Sequence, residues 1–197
     1  MKRIIVGMTG ATGSIIAVRL LQALQVSEVE THLVMSKWAR QNLLHETSYT
    51  ADDVKALATH TYASGDMGAA VSSGSFVTEG MVVVPCSMRS LAVISQGTGD
   101  HLVHRAADVI MKERRRLVLV PRETPLSTVH LENMLKLSRL GCHIVPPMPA
   151  FYNQPETIDD LVNHLVVRIL DQFGIDTEGA KRWAGLMKQK DKVIPIS

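Results

Sequence analysis

The 197-residue chain has few cysteines, almost no net charge and no long apolar run, and each shortage excludes a class of protein. Cys86 and Cys142 do not form a CxxC pair, so neither a disulfide framework nor a zinc site is predicted, and a reducing cytoplasm fits. The formal net charge is +2, and Arg114 to Arg116 is the one basic run, which argues against a nucleic-acid partner. We expect that run to be a solvated helix end.

No apolar run approaches the roughly 18 residues that a membrane span requires, and the N-terminus enters a strand without a signal-peptide pattern. Apolar residues make up 46% of the chain, enough for a substantial core. The length fits one domain rather than two. We therefore predict a single domain over residues 1–176 and a polar, lysine-rich arm or tail over residues 177–197.

A glycine turn, Gly7 to Gly13, joins the apolar run Ile4 to Val6 to the periodic segment Ile15 to Leu24. This is the pattern of a strand, a tight turn and a helix whose first N–H groups face an anion. We interpret it as a phosphate cradle. The motif also occurs in nicotinamide-dependent enzymes, in flavoproteins and as tight strand-to-helix packing, so it does not identify the ligand.

Strand and helix patterns alternate along the rest of the chain. This alternation predicts an α/β fold: a doubly wound parallel sheet of about five strands in a Rossmann-like or flavodoxin-like three-layer sandwich. The predicted strands are Lys2 to Met8, Glu30 to Met35, Gly80 to Cys86, Leu117 to Val120 and Cys142 to Val145. Ligands of such folds bind at the carboxyl edge of the sheet, where Ser87 and Arg122 follow two of these strands.

The end of the second strand argues against a nicotinamide cofactor. Ser36 stands where such folds usually carry an acidic residue for the ribose hydroxyls, and no tyrosine is followed by a lysine four residues later. The dehydrogenase interpretation is therefore weakened.

Several polar residues have both a structural and a functional interpretation. Ser87 is a helix N-cap, with or without a phosphate contact. The neighbours Arg122 and Glu123 form either a functional pair or a surface ion pair worth about 0–1 kcal/mol. Arg168 is either an anion ligand or a cation whose stem packs at a subunit interface.

His101 and His104 share one face of a predicted helix that runs from His101 to Arg114. A third ligand with metal spacing is not evident, so we expect two solvated histidines and no metal.

Eight blocks of sequence together resemble the flavin prenyltransferases, a UbiX-like, phenylacrylate-decarboxylase-associated family of homo-oligomeric flavoproteins. The resemblance extends from Gly7 to Trp183. Its blocks are Gly10–Gly13, Glu30–Ser36, Ser72–Phe76, Pro85–Met88, Arg105–Asp108, Lys112–Glu113, Arg122–Leu126 and Pro146–Tyr152.

The resemblance implies that the protein binds FMN and joins a dimethylallyl group from dimethylallyl phosphate to flavin N5 and C6 without a metal. It also implies a closed homo-oligomer, a dodecamer, whose product passes to a UbiD-like decarboxylase. An FMN-dependent decarboxylase acting directly on phenylacrylic or hydroxybenzoic acids stays an alternative, as does an NAD(P)-binding oxidoreductase.

The resemblance also assigns residues to the site. Those for FMN are Gly10, Ala11, Thr12, Ser36, Ser87, Met88, Arg89, Ser90 and Arg122. Those for the prenyl phosphate are Lys112, Tyr152 and Arg168, with Arg105 and Trp183 at further positions of the site. The residues near the reacting atoms are Glu46, Lys112, Glu123 and Ser87. Thr12 stands where many members have serine, and Arg89-Ser90 where Lys-Thr is frequent; both changes keep the chemistry.

Overall fold

A six-stranded parallel sheet organises the chain in a computed structural model that describes residues 2–177 and Trp183. The strands are β1 Arg3–Met8, β2 Glu30–Met35, β3 His60–Ala63, β4 Gly80–Cys86, β5 Arg116–Pro121 and β6 His143–Ile144. Their order is β3-β2-β1-β4-β5-β6, so the direction of winding reverses between β1 and β4. The predicted doubly wound α/β fold is confirmed, and its switch point lies between these two strands.

Seven α-helices connect the strands over the described residues. They are α1 Ser14–Val26, α2 Lys37–Glu46, α3 Ala51–Ala56, α4 Met88–Gln96, α5 Leu102–Lys112, α6 Thr128–Arg139 and α7 Ile158–Asp171. Three of their starts follow from the sequence. Thr50 and Thr157 begin α3 and α7 with reciprocal capping boxes, and the Ser87 side chain accepts from the Ser90 amide at the start of α4.

Helices cover both faces of the sheet because the strand residues alternate between two cores. On β1, Ile4 and Val6 pack with α1 and α7, whereas Ile5 packs on the other face with α4, α5 and α6. All three side chains are at most 1% exposed. A strand buried on both faces needs an unbroken apolar run, and that run made β1 recognisable in the sequence.

The expectation of about five strands missed β3, a four-residue edge strand paired with β2. His60, Thr61 and Ala63 are exposed, so the segment has neither an apolar run nor a clear alternation to reveal it. The last strand is also shorter than predicted, because only His143 and Ile144 pair with β5. Short edge strands depend on their neighbour rather than on their own sequence.

The basic run Arg114 to Arg116 follows the end of α5 and is not a simple solvated helix end, so that prediction is wrong for Arg115. Its guanidinium group donates to the carbonyl oxygens of Phe76 and Gly74, each at 2.7 Å. Arg115 therefore holds the connection before β4 against the end of α5.

The predicted domain boundary at residue 176 stays a prediction. Of the expected arm or tail over residues 177–197, all but Thr177 and Trp183 lie outside the described residues. No helix within the described part of the chain is long and apolar enough to cross a bilayer.

The Thr9 hydroxyl locks the ends of β1 and β4 together at the switch point. It donates to the carbonyl oxygen of Pro85 at 2.9 Å and accepts from the amide of Ser87 at 2.8 Å. Thr9 is 2% exposed, so water cannot replace either bond.

We therefore expect Thr9→Val to lower the free energy of unfolding by about 1–3 kcal/mol, because the Ser87 amide loses its acceptor. Urea denaturation at fixed protein concentration measures the change. Thr61→Val, at an exposed position of β3, is the matched control and should stay within about 0.5 kcal/mol of the parent. Equal stability of the two variants would contradict the role of Thr9.

Candidate active site

The starts of α1, α2 and α4 meet at the carboxyl edge of the sheet, around the switch point. They follow β1, β2 and β4, and the amide of Ser36 ties the end of β2 to that of β1 by donating to Met8 O at 3.0 Å. We call this region the switch-point site. It comprises Gly10, Ala11, Thr12, Gly13, Ser36, Glu46, Ser87, Met88, Arg89, Ser90 and Arg122.

Gly10 is required for close packing between the glycine turn and α2. A Cβ atom at this position would lie 2.5 Å from the Cβ of Trp38, which is closer than two such atoms approach. The Ser36 side chain caps α2 by accepting from the Ala39 amide at 3.1 Å. The turn thus brings the start of α2 and its hydroxyl cap directly beside β1.

Glu46, at the end of α2, occupies the start of α1. Its Oε2 atom accepts from the amides of Gly13 at 2.8 Å and Ser14 at 2.9 Å. A carboxylate of the chain thus pairs with these two amides, and the phosphate cradle at this turn stays a prediction. The interaction complements the positive end of the helix dipole and fixes the Glu46 carboxylate at the switch-point site.

A buried chain of hydrogen bonds continues inward from the start of α4. Ser87 Oγ donates to Ser90 Oγ at 3.1 Å, and Ser90 Oγ pairs with His104 Nε2 at 3.1 Å. The sequence pattern did not reveal this contact of His104. The helix pattern placed that residue on one face of α5 but did not show that α4 packs against it.

The prediction of two solvated histidines is wrong, because His104 is buried and His101 is half-buried. His104 is 4% exposed, and its ring stacks on that of His101 with centroids 3.7 Å apart. Burial and then the neighbouring His101 lower the pKa of His104 to about 4, and burial also lowers the pKa of His101. His104 is therefore a neutral imidazole at pH 7.

Arg122 lies next to Ser87 because β5 ends beside β4. The Arg122 amide donates to Cys86 O at 3.3 Å, and its side chain is exposed at this edge. Among the described residues no ion pair joins Arg122 to Glu123, whose carboxylate instead accepts from the Thr124 amide at 3.0 Å. Cys86 is not a nucleophile here, since burial raises the pKa of its thiol to about 12.

A second group of predicted site residues lines a groove beside the edge strand β6. We call it the β6 groove, defined by Tyr152, His164, Arg168 and the Trp183 ring at its rim; its volume is about 660 Å³. The Tyr152 hydroxyl pairs with His164 Nε2 at 3.3 Å, and the Trp183 ring packs edge-on to Tyr152 at 5.8 Å. Trp183, assigned from the far end of the chain, is thus brought to Tyr152.

Arg168 has a partner that neither sequence-based alternative anticipated. Its Nη1 atom donates to Asp171 Oδ2 at 2.6 Å, one turn along α7. The Arg168 side chain is 53% exposed, so the guanidinium group still faces the groove and solvent. An ion pair on one helix orients the cation without burying it.

Lys112 lies away from both groups. It ends α5, a few residues before β5 begins, so it is at the amino edge of the sheet, and its ammonium group pairs with Glu113. Arg105 is near the start of the same helix and pairs with Asp108 at 3.0 Å. Arg105 and Lys112 are seven residues apart on this helix, which separates their backbone positions by about 10 Å along its axis.

One chain therefore does not bring all the predicted site residues together. β6 is three strands from β1, about 14 Å at the usual strand spacing of about 4.8 Å. The hydroxyls and glycines lie at the switch point, the aromatic residues and Arg168 at the β6 edge, and Lys112 at the opposite end of the strands.

The chain matches the family model described as Flavoprotein over residues 1–170. It is 58% identical over 188 residues to a probable UbiX-like flavin prenyltransferase of Bacillus subtilis strain 168. That alignment covers 95% of this chain and 92% of the relative.

Two solved structures are similar over almost all of their length. A dodecameric FMN-dependent UbiX-like decarboxylase from Escherichia coli O157:H7 is 61% identical, with a TM-score of 0.91, covering 93% of this chain and 100% of that one. AnUbiX in complex with FMN and dimethylallyl pyrophosphate is 54% identical, with a TM-score of 0.92, covering 93% and 98%.

The buried His104 predicts a loss of stability in mild acid. A histidine in the unfolded chain has a pKa of about 6.5, whereas the pKa of His104 in the folded chain is about 4. Between these two pH values the unfolded chain binds a proton that the folded chain does not bind. We expect the free energy of unfolding, measured in metal-free buffer, to fall as the pH drops from 6.5 towards 4. Asp100, His101 and Arg89 also act on this imidazole.

His104→Gln should flatten the slope, because glutamine does not titrate there. His45→Gln, at an exposed position of α2, is the control and should keep the parental slope. A His104→Gln protein that loses stability as steeply as the parent would contradict the account.

Proposed function

The chain belongs to the UbiX-like flavin prenyltransferases, and we propose that its switch-point site holds FMN while the β6 groove of a neighbouring chain binds the prenyl phosphate. It is a flavin prenyltransferase, and FMN is its flavin. One observation above all supports this assignment of residues: the starts of α2 and α4, each capped by a serine hydroxyl, lie close to Arg122 at the switch point.

The donor set at the switch point fits FMN. The first amides of a helix have no partner within the helix, so the starts of α2 and α4 offer N–H groups to an anion. Ser36, Ser87 and Ser90 add hydroxyls, and Arg122 adds a cation. Gly10 keeps this approach narrow, as its contact with Trp38 shows. Since Glu46 satisfies the start of α1, we assign the flavin phosphate to the amino ends of α2 and α4, with Ala11, Thr12, Met88 and Arg89 beside the flavin.

The β6 groove suits a phosphate that carries an isoprenoid chain. Arg168 supplies the guanidinium group, the Tyr152 hydroxyl a neutral donor, and the rings of Tyr152 and Trp183 an aromatic wall. Cationic character on the prenyl carbon is stabilised by aromatic faces. We propose dimethylallyl phosphate as the donor; the diphosphate, which is bound in AnUbiX, is the alternative to assay beside it.

Prenyl transfer breaks the bond between carbon and the phosphate oxygen, so negative charge grows on the leaving phosphate. Arg168 and Lys112 would stabilise that charge more in the transition state than in the bound substrate, which is the requirement for catalysis. Bound FMN supplies the N5 and C6 positions that accept the prenyl group. Two bonds to the flavin form while one carbon–oxygen bond and the prenyl double bond are used up, so two protons would leave N5 and C6 and one would be returned to the former double bond. We assign acceptance and return of these protons to Glu46 or Glu123, with the Ser87 hydroxyl close by.

The separation of the groups within one chain supports a site shared between chains. Large apolar side chains are exposed around both halves: Trp38 (66%) beside Gly10, and Met148 (68%) and Phe151 (70%) near the β6 groove. Such patches mark interfaces. We therefore propose a closed homo-oligomer, a dodecamer like the Escherichia coli relative, in which Arg105, Lys112 and the β6 groove reach a neighbour's flavin.

Light scattering should give the mass of that oligomer at working concentrations. A monomer with full activity would contradict shared sites.

We further propose that the product is passed to a UbiD-like decarboxylase and that the protein works in the cytoplasm. The free thiols of Cys86 and Cys142, both buried, fit a reducing compartment.

Arg168→Ala should leave FMN bound but slow single-turnover prenylation about a hundredfold. Losing one contact that strengthens as phosphate leaves costs about 3 kcal/mol. Arg122→Ala should instead lower FMN occupancy, because that cation is assigned to the flavin. Arg139→Ala removes an exposed cation of α6 and is the control for charge alone. Flavin absorbance gives occupancy, and the mass of the flavin after incubation of the reduced form with dimethylallyl phosphate gives turnover.

An Arg168→Ala protein that prenylates at the parental rate would overturn the assignment of the groove. If the parent left the flavin mass unchanged and released carbon dioxide from an aromatic acid, direct decarboxylation would replace prenyl transfer as the activity of this site.

A further inference from the structure

Three potential metal ligands meet where the chain passes from α4 into α5. Asp100, His101 and His104 each place one ligand atom within 4.8 Å of the others. Asp100 precedes the helix, His101 is its N-cap and His104 is one turn inside. The sequence pattern pairs only the two histidines, because the carboxylate joins them through the bend before α5 rather than through helical spacing.

The imidazoles of this cluster have unused nitrogens. Within the described residues, neither Nδ1 of His101 nor Nδ1 of His104 has a partner within hydrogen-bond distance, although both atoms are buried, and the nearest carboxylate to His104 Nδ1 is that of Asp100 at 3.7 Å. His104 is 4% exposed, and its Nε2 atom is already paired with Ser90 Oγ. A buried imidazole nitrogen without a partner is unusual in a folded protein and calls for an explanation such as an ion.

The spacing of the atoms suits a small divalent cation. Asp100 Oδ1 lies 3.7 Å from His104 Nδ1. Two ligands at about 2.1 Å from a tetrahedral zinc ion are about 3.4 Å apart, so Asp100 needs only a small movement. The half-buried His101 ring must also turn out of its stack on His104, because a metal binds in the plane of an imidazole ring. Gly99 lets the bend pass directly over the cluster, since a Cβ there would lie 2.4 Å from His104 Cβ.

A second cluster shows what a satisfied arrangement looks like. Glu30, His32 and His60 also lie within 4.8 Å, at the amino edge of β2 and β3. Both ring nitrogens of His32 have partners there, Tyr62 at 2.9 Å and Glu30 at 3.0 Å. Arg3 in turn holds Glu30 at 2.9 Å. This cluster is internally paired and offers no orphaned nitrogen of His32 to a metal.

We propose that Asp100, His101 and His104 form a site for a divalent transition metal of the zinc class, with water completing the coordination. Arg89 is the one cation in contact with the cluster over the described residues, 4.0 Å from the outer oxygen of Asp100. Its side chain is 81% exposed, so it can turn away from Asp100 and towards the switch-point site when a metal binds. The 75% exposure of the Asp100 side chain provides the route of entry.

Metal on His104 Nδ1 has a defined consequence for the neighbouring helix. It fixes the tautomer in which Nε2 carries the proton and donates to Ser90 Oγ, as metal-bound histidines commonly do with their other nitrogen. Ser90 lies in the first turn of α4, so the metal would order the start of that helix. Any effect on FMN affinity rests on the proposed function, but metal binding itself does not.

The test uses the tag-free full-length protein, stripped with a chelator and titrated with Zn²⁺ in competition with a chromophoric indicator. We expect one equivalent per chain. His101→Gln and Asp100→Asn, which replace the less buried ligands and should fold, are expected to weaken binding at least about tenfold. His60→Gln alters the other cluster and should bind as the parent does. Mg²⁺ should not compete, because imidazole ligands disfavour it.

Co²⁺ in place of zinc gives a second readout, since the intensity of its visible spectrum reports tetrahedral nitrogen and oxygen ligation. Absence of stoichiometric zinc, or equal affinity in the parent and His101→Gln, would overturn the proposal. So would a loss of binding in His60→Gln with none in His101→Gln. FMN occupancy measured on the same samples separates failure of this site from failure of the flavin assignment.

Discussion

The buried hydroxyl of Thr9 is the constraint on which the rest of the site depends. It holds β1 to β4 at the switch point by bonding to Pro85 O and to the Ser87 amide. The start of α4 is therefore fixed relative to the glycine turn, and the Ser36 amide does the same for α2 through Met8 O. The phosphate site that we propose for the amides of α2 and α4 requires helix starts at a fixed separation, and these bonds supply that rigidity.

The carboxyl edge of the sheet is not simply a cradle for anions, because the Glu46 carboxylate already binds to one of its three helix starts. Glu46 neutralises the start of α1, and the proposed function therefore assigns the flavin phosphate to the starts of α2 and α4. The cations that we propose for a second phosphate lie elsewhere, Arg168 beside β6 and Lys112 at the amino edge. In the proposed oligomer, each phosphate would be recognised by its own group of cations, and assembly would bring the groups together.

Strongly patterned elements were predictable from the sequence, and contacts between distant elements were not. Burial on both faces leaves an apolar run in the sequence, and this run predicts β1 and β4. Local hydrogen bonds at a helix start leave a short-range pattern, and the capping boxes predict the starts of α3 and α7. β3 leaves none, because its exposed residues pair only with β2. The bond between Glu46 and Gly13 joins residues 33 apart, and no local pattern encodes it. His104 was predicted to be solvated for the same reason. The helix that packs against it, α4, leaves no mark in the periodicity of α5, on which His104 lies.

In the proposed oligomer, one chain supplies the flavin half of the site and another the prenyl-phosphate half. Subunit mixing tests it most directly: Arg122→Ala and Arg168→Ala proteins are purified separately, dissociated, mixed and reassembled, and prenylation is compared with that of each variant reassembled alone. Shared sites predict that the mixture is more active than either variant, because some sites then combine an intact Arg122 with an intact Arg168 from different chains. A mixture no more active than the average of its two components, with mixed oligomers verified by mass spectrometry, would contradict the account.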